Sequence, residues 1–401
     1  LTLLSFIAVS LQTAYASTFG PALAPNILAP DSTVPKWYNV GLAAQTHCLL
    51  WNGPAEAQPH GSTPVAFNLR GPATTTVAGY YPSEIQAAYG VSGLGGSKAI
   101  AIVDAYHFST ALSDFNGFSA QFGLPQESST SATSSTNAHF QVVYEGTAAP
   151  AVNSSWNIEE GLDIEWAHAM APNAKIYLVE ANSSSFSDLF SAVQKAGSLP
   201  NVAEVSMSFG GSEFSTEMFE DGIFTAKNVV YFASTGDSKG IKEYPSESPN
   251  VVAVGGTTLK MSGSKVTSET AWSSGGGGTS SYEALPTYQS TLSPFIGTHR
   301  SAADISAVAD PTTGAAVLVA GKWYVVGGTS LSSPIVAGLT NAAASFLGTS
   351  KLELAKIYAG LGSANFRACS SGTSATVNKA TSTTLWNWAT GVGSPLGSKG
   401  L

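Results

Sequence analysis

The chain has 401 residues, of which 43% are hydrophobic and only 11% charged, with 17 Lys and Arg against 26 Asp and Glu and a formal net charge of −9. That length fits one large α/β domain or two smaller ones, and the charged fraction is far below the roughly 25% of an average soluble protein. So few basic residues leave no stripe to neutralise phosphates, which argues against nucleic-acid binding, and little positive charge to drive unfolding once carboxylates are protonated, which suits a protein working in acid.

Residues 1–16 form an apolar run ending in Ala14-Tyr15-Ala16, the pattern of a signal peptide with its small-residue cleavage site. Secretion is therefore expected; the other reading is a buried N-terminal strand or helix. No later stretch is long and apolar enough to span a bilayer. Residues 17–75, rich in Pro, Ala and polar residues without sustained periodicity, read as an extended arm lying on the domain or a short leader. Asn153-Ser154-Ser155 and Asn182-Ser183-Ser184 are glycosylation triplets. The two cysteines, Cys48 and Cys369, either pair in an oxidising compartment or stand apart as buried thiols.

The regular part, residues 76–401, begins with a capped helix start at Tyr80-Tyr81-Pro82-Ser83-Glu84-Ile85. Short apolar runs follow at Lys98 to Asp104, Ala174 to Val179, Ala203 to Met207, Val229 to Phe232 and Val251 to Val254, each suited to a strand buried on both faces. Helical stretches are expected at Asp114 to Phe122, Ile158 to Met170, Phe186 to Ala196 and Glu217 to Lys227. This alternation implies crossover connections and a three-layer α/β fold, a mainly parallel central sheet with helices on both faces. In such folds the active groups gather at the carboxyl edge of the sheet.

Three segments carry chemistry. Gly327-Gly328-Thr329-Ser330 precedes Leu331-Ser332-Ser333-Pro334, small residues that let a loop turn tightly into a helix. Ser330 then sits near the helix start, where developing negative charge is favoured; the plainer reading of such a serine is an N-cap. A nucleophilic serine needs a base. Of the six histidines, His168 lies late in a helix, His107 follows a strand end, and none stands in a Gly-rich loop entering a helix. Glu159 and Asp163, four apart at a helix beginning, share one face. Carboxyls that close cannot both ionise cheaply, so one pKa is pushed up; the plainer reading is acids placed to suit a helix dipole. In Tyr231-Phe232-Ala233-Ser234-Thr235-Gly236-Asp237, a strand runs into a Gly-Asp turn that sets Asp237 at its carboxyl end.

Together these segments resemble the sedolisin family of serine-carboxyl peptidases, relatives of subtilisin in fold. The family pattern falls on Glu159 and Asp163, on Gly236-Asp237 and on Gly328-Thr329-Ser330, in the family's chain order. Further likeness lies in Ala99 to Tyr106, Gln121 to Pro125, Leu162 to Glu165, Ala171 to Lys175 and Tyr244 to Thr258. The resemblance implies a subtilisin-like fold and an acyl-enzyme on Ser330. It gives Glu159 the role of base, Asp163 that of its support, and Asp237, protonated, that of oxyanion donor. Asp104, where a subtilisin keeps its triad aspartate, would extend the acidic network, with Gly328 and Thr329 as supporting residues. Protein or peptide substrates follow from the same likeness; the signal-peptide pattern implies an extracellular enzyme, and a monomer is expected.

Two departures from the family stand out. Its calcium site needs carboxylates where this chain has Ala368 and Asn387, and calcium needs several charged oxygen ligands, so no metal or other cofactor is expected. A Cys48–Cys369 disulfide would brace the region in its place. Residues 17–75 are also too few for the large folded propeptide of family precursors, so either they are a remaining leader or the protein matures without one. Two other readings stay open: a subtilisin-type neutral peptidase using Asp104, Ser330 and an unrecognised histidine, and an inactive peptidase-like binding module.

Overall fold

The computed structural model describes residues 44–50, 77–369 and 386–401. The expected signal peptide and most of the N-terminal arm lie outside the described residues.

An eight-stranded sheet forms the middle layer. Its order is Lys265–Ala271, Val252–Ser262, Val230–Ser234, Val202–Met207, Ala99–Ala105, Ile176–Ala181 and Phe140–Tyr144, with Ile305–Val308 also paired to Val252–Ser262. Lys265–Ala271 runs antiparallel; the other pairings are parallel. Side chains alternate across the sheet, and the central strand Ala99–Ala105 divides accordingly. Ile100 and Ile102 enter one core with the helices Ala111–Phe122, Asn157–Met170 and Thr329–Ala343. Ala99, Ala101 and Val103 enter the other, with helix Phe186–Ser198. Helices thus cover both faces, the three-layer arrangement that the alternating pattern implied.

The expected elements differ in three places. Glu217 to Lys227 is not one helix but two 3₁₀ turns, Glu217–Phe219 and Asp221–Phe224. Gly222 interrupts the stretch; Phe219 before it is 79% exposed, while Ile223 and Phe224 after it turn into the core. Phe140–Tyr144 is an edge strand that the sequence reading did not include; only Phe140 and Val142 of its five residues are fully buried. The strand at Val252 continues through Gly255 and Gly256 to Ser262, because its second half pairs with Lys265–Ala271.

The topology decides where the acids go. Asp104 pairs in register with Glu180 on the adjacent strand at the carboxyl edge. By alternation both follow Ile100–Ile102 and Ile176–Leu178 onto the face covered by helix Asn157–Met170. Glu159, Glu160 and Asp163 are buried there at the amino end of that helix.

Candidate active site

Ser330 is the second residue of helix Thr329–Ala343, entered through Gly328 at φ 105°. A Cβ at Gly328 would lie 1.8 Å from the carbonyl oxygen of His47 and 2.7 Å from Asp237 Oδ2. Glycine is thus required by both conformation and space. A backbone carbonyl and the carboxyl of Asp237 thus converge over Gly328.

Thr329 holds Asp237 in place. Its N–H and its hydroxyl lie 2.8 and 2.9 Å from Asp237 Oδ1, and its Oγ1 accepts from Gly236 N at 3.0 Å. Oδ1 is therefore occupied, while Oδ2 is buried without a partner. Burial pushes the Asp237 carboxyl up to about 6, against the pull of His47 and of the two Thr329 donors. A carboxyl with one oxygen anchored and the other free is built to donate a hydrogen bond when protonated.

The Ser330 hydroxyl donates to Ser208 O at 3.3 Å, and Glu159 is buried near Ser330 and Cys48 with neither carboxyl oxygen hydrogen-bonded. Burial drives it above the usual carboxylate range, although Ser330, Cys48 and His47 favour the charged form. Asp163 receives the Ser208 hydroxyl at 3.0 Å and is pushed well up by burial, then by Asp104 and Glu159. Asp104 has neither oxygen bonded and is raised by burial and by its neighbours Glu159 and Glu180. The structure therefore brings Ser330, Glu159, Asp163, Asp104 and Asp237 into one cluster, in which carboxyls sealed from water must share protons.

Residues 44–50 thread this cleft as an extended strand. Gln45–Thr46 pairs antiparallel with Gly210 and Phe209, and Leu49–Leu50 pairs antiparallel with Gly327 and Val326. Between them the carbonyl oxygen of His47 accepts from Ser330 N at 3.3 Å, and His47 N donates to Ser330 Oγ at 3.1 Å. A peptide held by main-chain pairing on both sides of a serine is how an extended ligand is bound. This part of the arm runs through the site itself, and no sequence signal marked it. His47, Cys48, Ser208 and Glu243 are residues that the sequence reading missed; the one available clue was Ser208-Phe209-Gly210-Gly211, which follows directly on a strand's carboxyl end.

His107 turns to Glu180, 2.7 Å away. His168 is buried against Pro125 O at 2.9 Å and pushed down by burial to about 4. Neither contacts Ser330. Cys48 and Cys369 are free thiols, which corrects the expected disulfide: Cys48 lies against Glu159, whereas Cys369 lies beside Ser394 and Arg367. At the expected calcium position, Asn387 Oδ1 accepts from Ala389 N and Thr390 N and its amide donates to Thr390 Oγ1. That amide caps its own turn, Ala368 supplies no side-chain oxygen, and these residues do not fit the ion.

Comparison with known proteins agrees with the fold. A model described as the subtilase family matches residues 146–348. Sedolisin from Pseudomonas sp. (strain 101) is 30% identical over 305 residues, which cover 67% of this chain and 50% of that protein. Kumamolisin from Bacillus sp. (strain MN-32) is 34% identical over 214 residues, covering 45% of this chain and 38% of the other. The chain thus spans no more than half the length of these relatives. Among solved structures, Pseudomonas sedolisin complexed with two molecules of pseudo-iodotyrostatin superposes with a TM-score of 0.68 at 25% identity, over 80% of this chain and 96% of that one.

Proposed function

The chain belongs to the subtilase family, in its sedolisin branch, and from that membership we propose that it is a serine-carboxyl peptidase acting in acid. Ser330 attacks the scissile carbonyl while Glu159 takes the hydroxyl proton, forming the tetrahedral intermediate. Asp163, steadied by Ser208, holds Glu159 in orientation, and Asp104 keeps a further shared proton nearby. The developing oxyanion receives hydrogen bonds from Ser330 N–H and from protonated Asp237. Glu159 then returns its proton to the leaving amine, the acyl-enzyme forms, and water hydrolyses it by the same route in reverse. An ionised Asp237 would repel the oxyanion, so turnover needs acid; a neutral carboxylic acid as oxyanion donor is a known device.

The observation that carries this reading is the chain's own His47 carbonyl, seated on Ser330 N over Gly328, toward which Asp237 Oδ2 also points. That is where a substrate carbonyl would have to sit. With residues 44–50 in the cleft, the chain is latent until they leave. Extracellular action on protein or peptide substrates as a monomer, without a metal, belongs to the same proposal. The test is hydrolysis of a denatured protein from pH 2 to 9, wild type against Ser330→Ala. Activity confined to acid and lost in the variant supports it; a neutral optimum points to histidine chemistry; no activity at any pH in a folded, cleft-cleared protein points to a binding module.

A further inference from the structure

The carbonyl of His47 lies on Ser330 N, so its side chain occupies the pocket for the residue that becomes the acyl group. That pocket is built around a carboxylate. The ring Nε2 lies 2.6 Å from Glu243 Oε2, and Nδ1 lies 2.7 Å from Ser234 Oγ, where strand Val230–Ser234 ends. The ring is buried, with 5% of the side chain exposed.

Glu243 is held there by the fold. It lies on the strand Glu243–Tyr244, which pairs with Gly211–Ser212 of the ribbon that binds residues 45–46. Its carboxylate fits between two glycines: a Cβ at Gly210 would come within 2.6 Å of Oε2, and one at Gly236 within 2.9 Å of Oε1. The neighbouring amine of Lys242 is directed elsewhere, 3.1 Å from Glu213 and 2.6 Å from Ser281 Oγ. The other charged groups acting on the ring are Asp237 and Glu159, both acids. Burial alone would lower the imidazole's pKa, yet these carboxylates, Glu243 foremost, hold it up to about 9. Glu243 Oε2 is sealed from water, a carboxylate oxygen sealed without a cation is costly, and here the occupant supplies the cation.

We infer that Glu243, with Ser234, selects a cationic side chain, histidine above all, on the acyl side of the bond to be cleaved. The selection rests on the peptidase reading above. A protonated imidazole pairs its charge with Glu243 and hydrogen-bonds Ser234, whereas an aliphatic residue supplies neither.

The experiment uses acid-matured protein and a panel of internally quenched peptides identical except for His, Lys, Arg, Gln or Leu at that position, assayed at one acid pH. The His peptide should exceed the Leu peptide in kcat/KM by about 10- to 100-fold, the scale of one hydrogen bond to a charged group. In Glu243→Gln that ratio should fall to within about threefold; Ser234→Ala should reduce it less. A wild type that cleaves all five peptides alike or prefers Leu overturns the inference and leaves the peptidase reading standing. So does a preference that survives in Glu243→Gln. If no peptide is cleaved faster than by Ser330→Ala, the peptidase reading falls and the inference with it.

Discussion

The His47 carbonyl oxygen lies 3.3 Å from the amide nitrogen of Ser330, with the His47 amide 3.1 Å from the Ser330 hydroxyl. The chain thus presents one of its own peptide bonds, His47–Cys48, to its own serine. Incubation in acid should cut that bond and leave Cys48 as a new N-terminus, read by intact mass and N-terminal sequencing, while Ser330→Ala stays whole. A stable product beginning elsewhere would show that the threaded strand is not the processing register.

Asp237 should set the alkaline limb of activity. Its carboxyl is raised to about 6, so the proton that serves the oxyanion is present below that pH and lost above it. Asp237→Ala should lower kcat by about 10²–10³, the usual cost of one oxyanion donor. Asp237→Asn can accept from Thr329 through its oxygen and donate permanently through its nitrogen. It should therefore keep more activity than Asp237→Ala and shift the alkaline limb upward. A limb unmoved in Asp237→Asn would assign it to another carboxyl.

Gly328→Ala tests the crowding at the same point. With a Cβ 1.8 Å from the bound carbonyl and φ in the left-handed half of backbone space, the carbonyl must be displaced by an ångström or more. A fall of about 10²-fold in kcat/KM is expected. Unfolding is monitored by circular dichroism, and a native spectrum with full activity would contradict the geometry.

The fold should be more stable in acid than at neutral pH. Burial raises Glu204 to about 8 and Glu353 to about 7, whereas the unfolded carboxyls titrate near roughly 4.3. Between those values the native state binds more protons than the unfolded chain, so stability is complete below the unfolded pKa and declines as pH rises through the folded values. The melting temperature should therefore drop from pH 4 to pH 8. Glu204→Gln, which keeps an acceptor for Asn341 Nδ2, now 2.7 Å from the carboxyl, should flatten that slope. A melting temperature that rises with pH would refute this assignment.

Both thiols should be unpaired. Alkylation of the denatured, unreduced protein should add two labels by mass; no label would restore the disulfide.

Local sequence was enough for the layers and for three pieces of the site. Apolar runs alternating with helical periods dictate a parallel sheet covered on both faces, because each run must bury both sides and each crossover must return along the sheet. Gly328-Thr329-Ser330, the four-residue spacing of Glu159 and Asp163, and the strand-to-turn step at Gly236-Asp237 are short-range patterns, and short-range geometry fixes what they can present.

What the tertiary structure decided depends on which strand lies beside which. Asp104 joins the carboxyl cluster because its strand sits next to Glu180 and beneath helix Asn157–Met170, an order that no local period encodes. The stretch at Glu217 lost its helix because Gly222 interrupts it and Ile223 and Phe224 pack into the core as a separate turn. His47 and Glu243 are 196 positions apart in the chain, one in an arm without periodicity and one on a two-residue strand. Only closure of the cleft around an extended segment sets an imidazole against that carboxylate. Pairings of this kind are selected by the shape and charge of the assembled fold, after the local patterns have been satisfied.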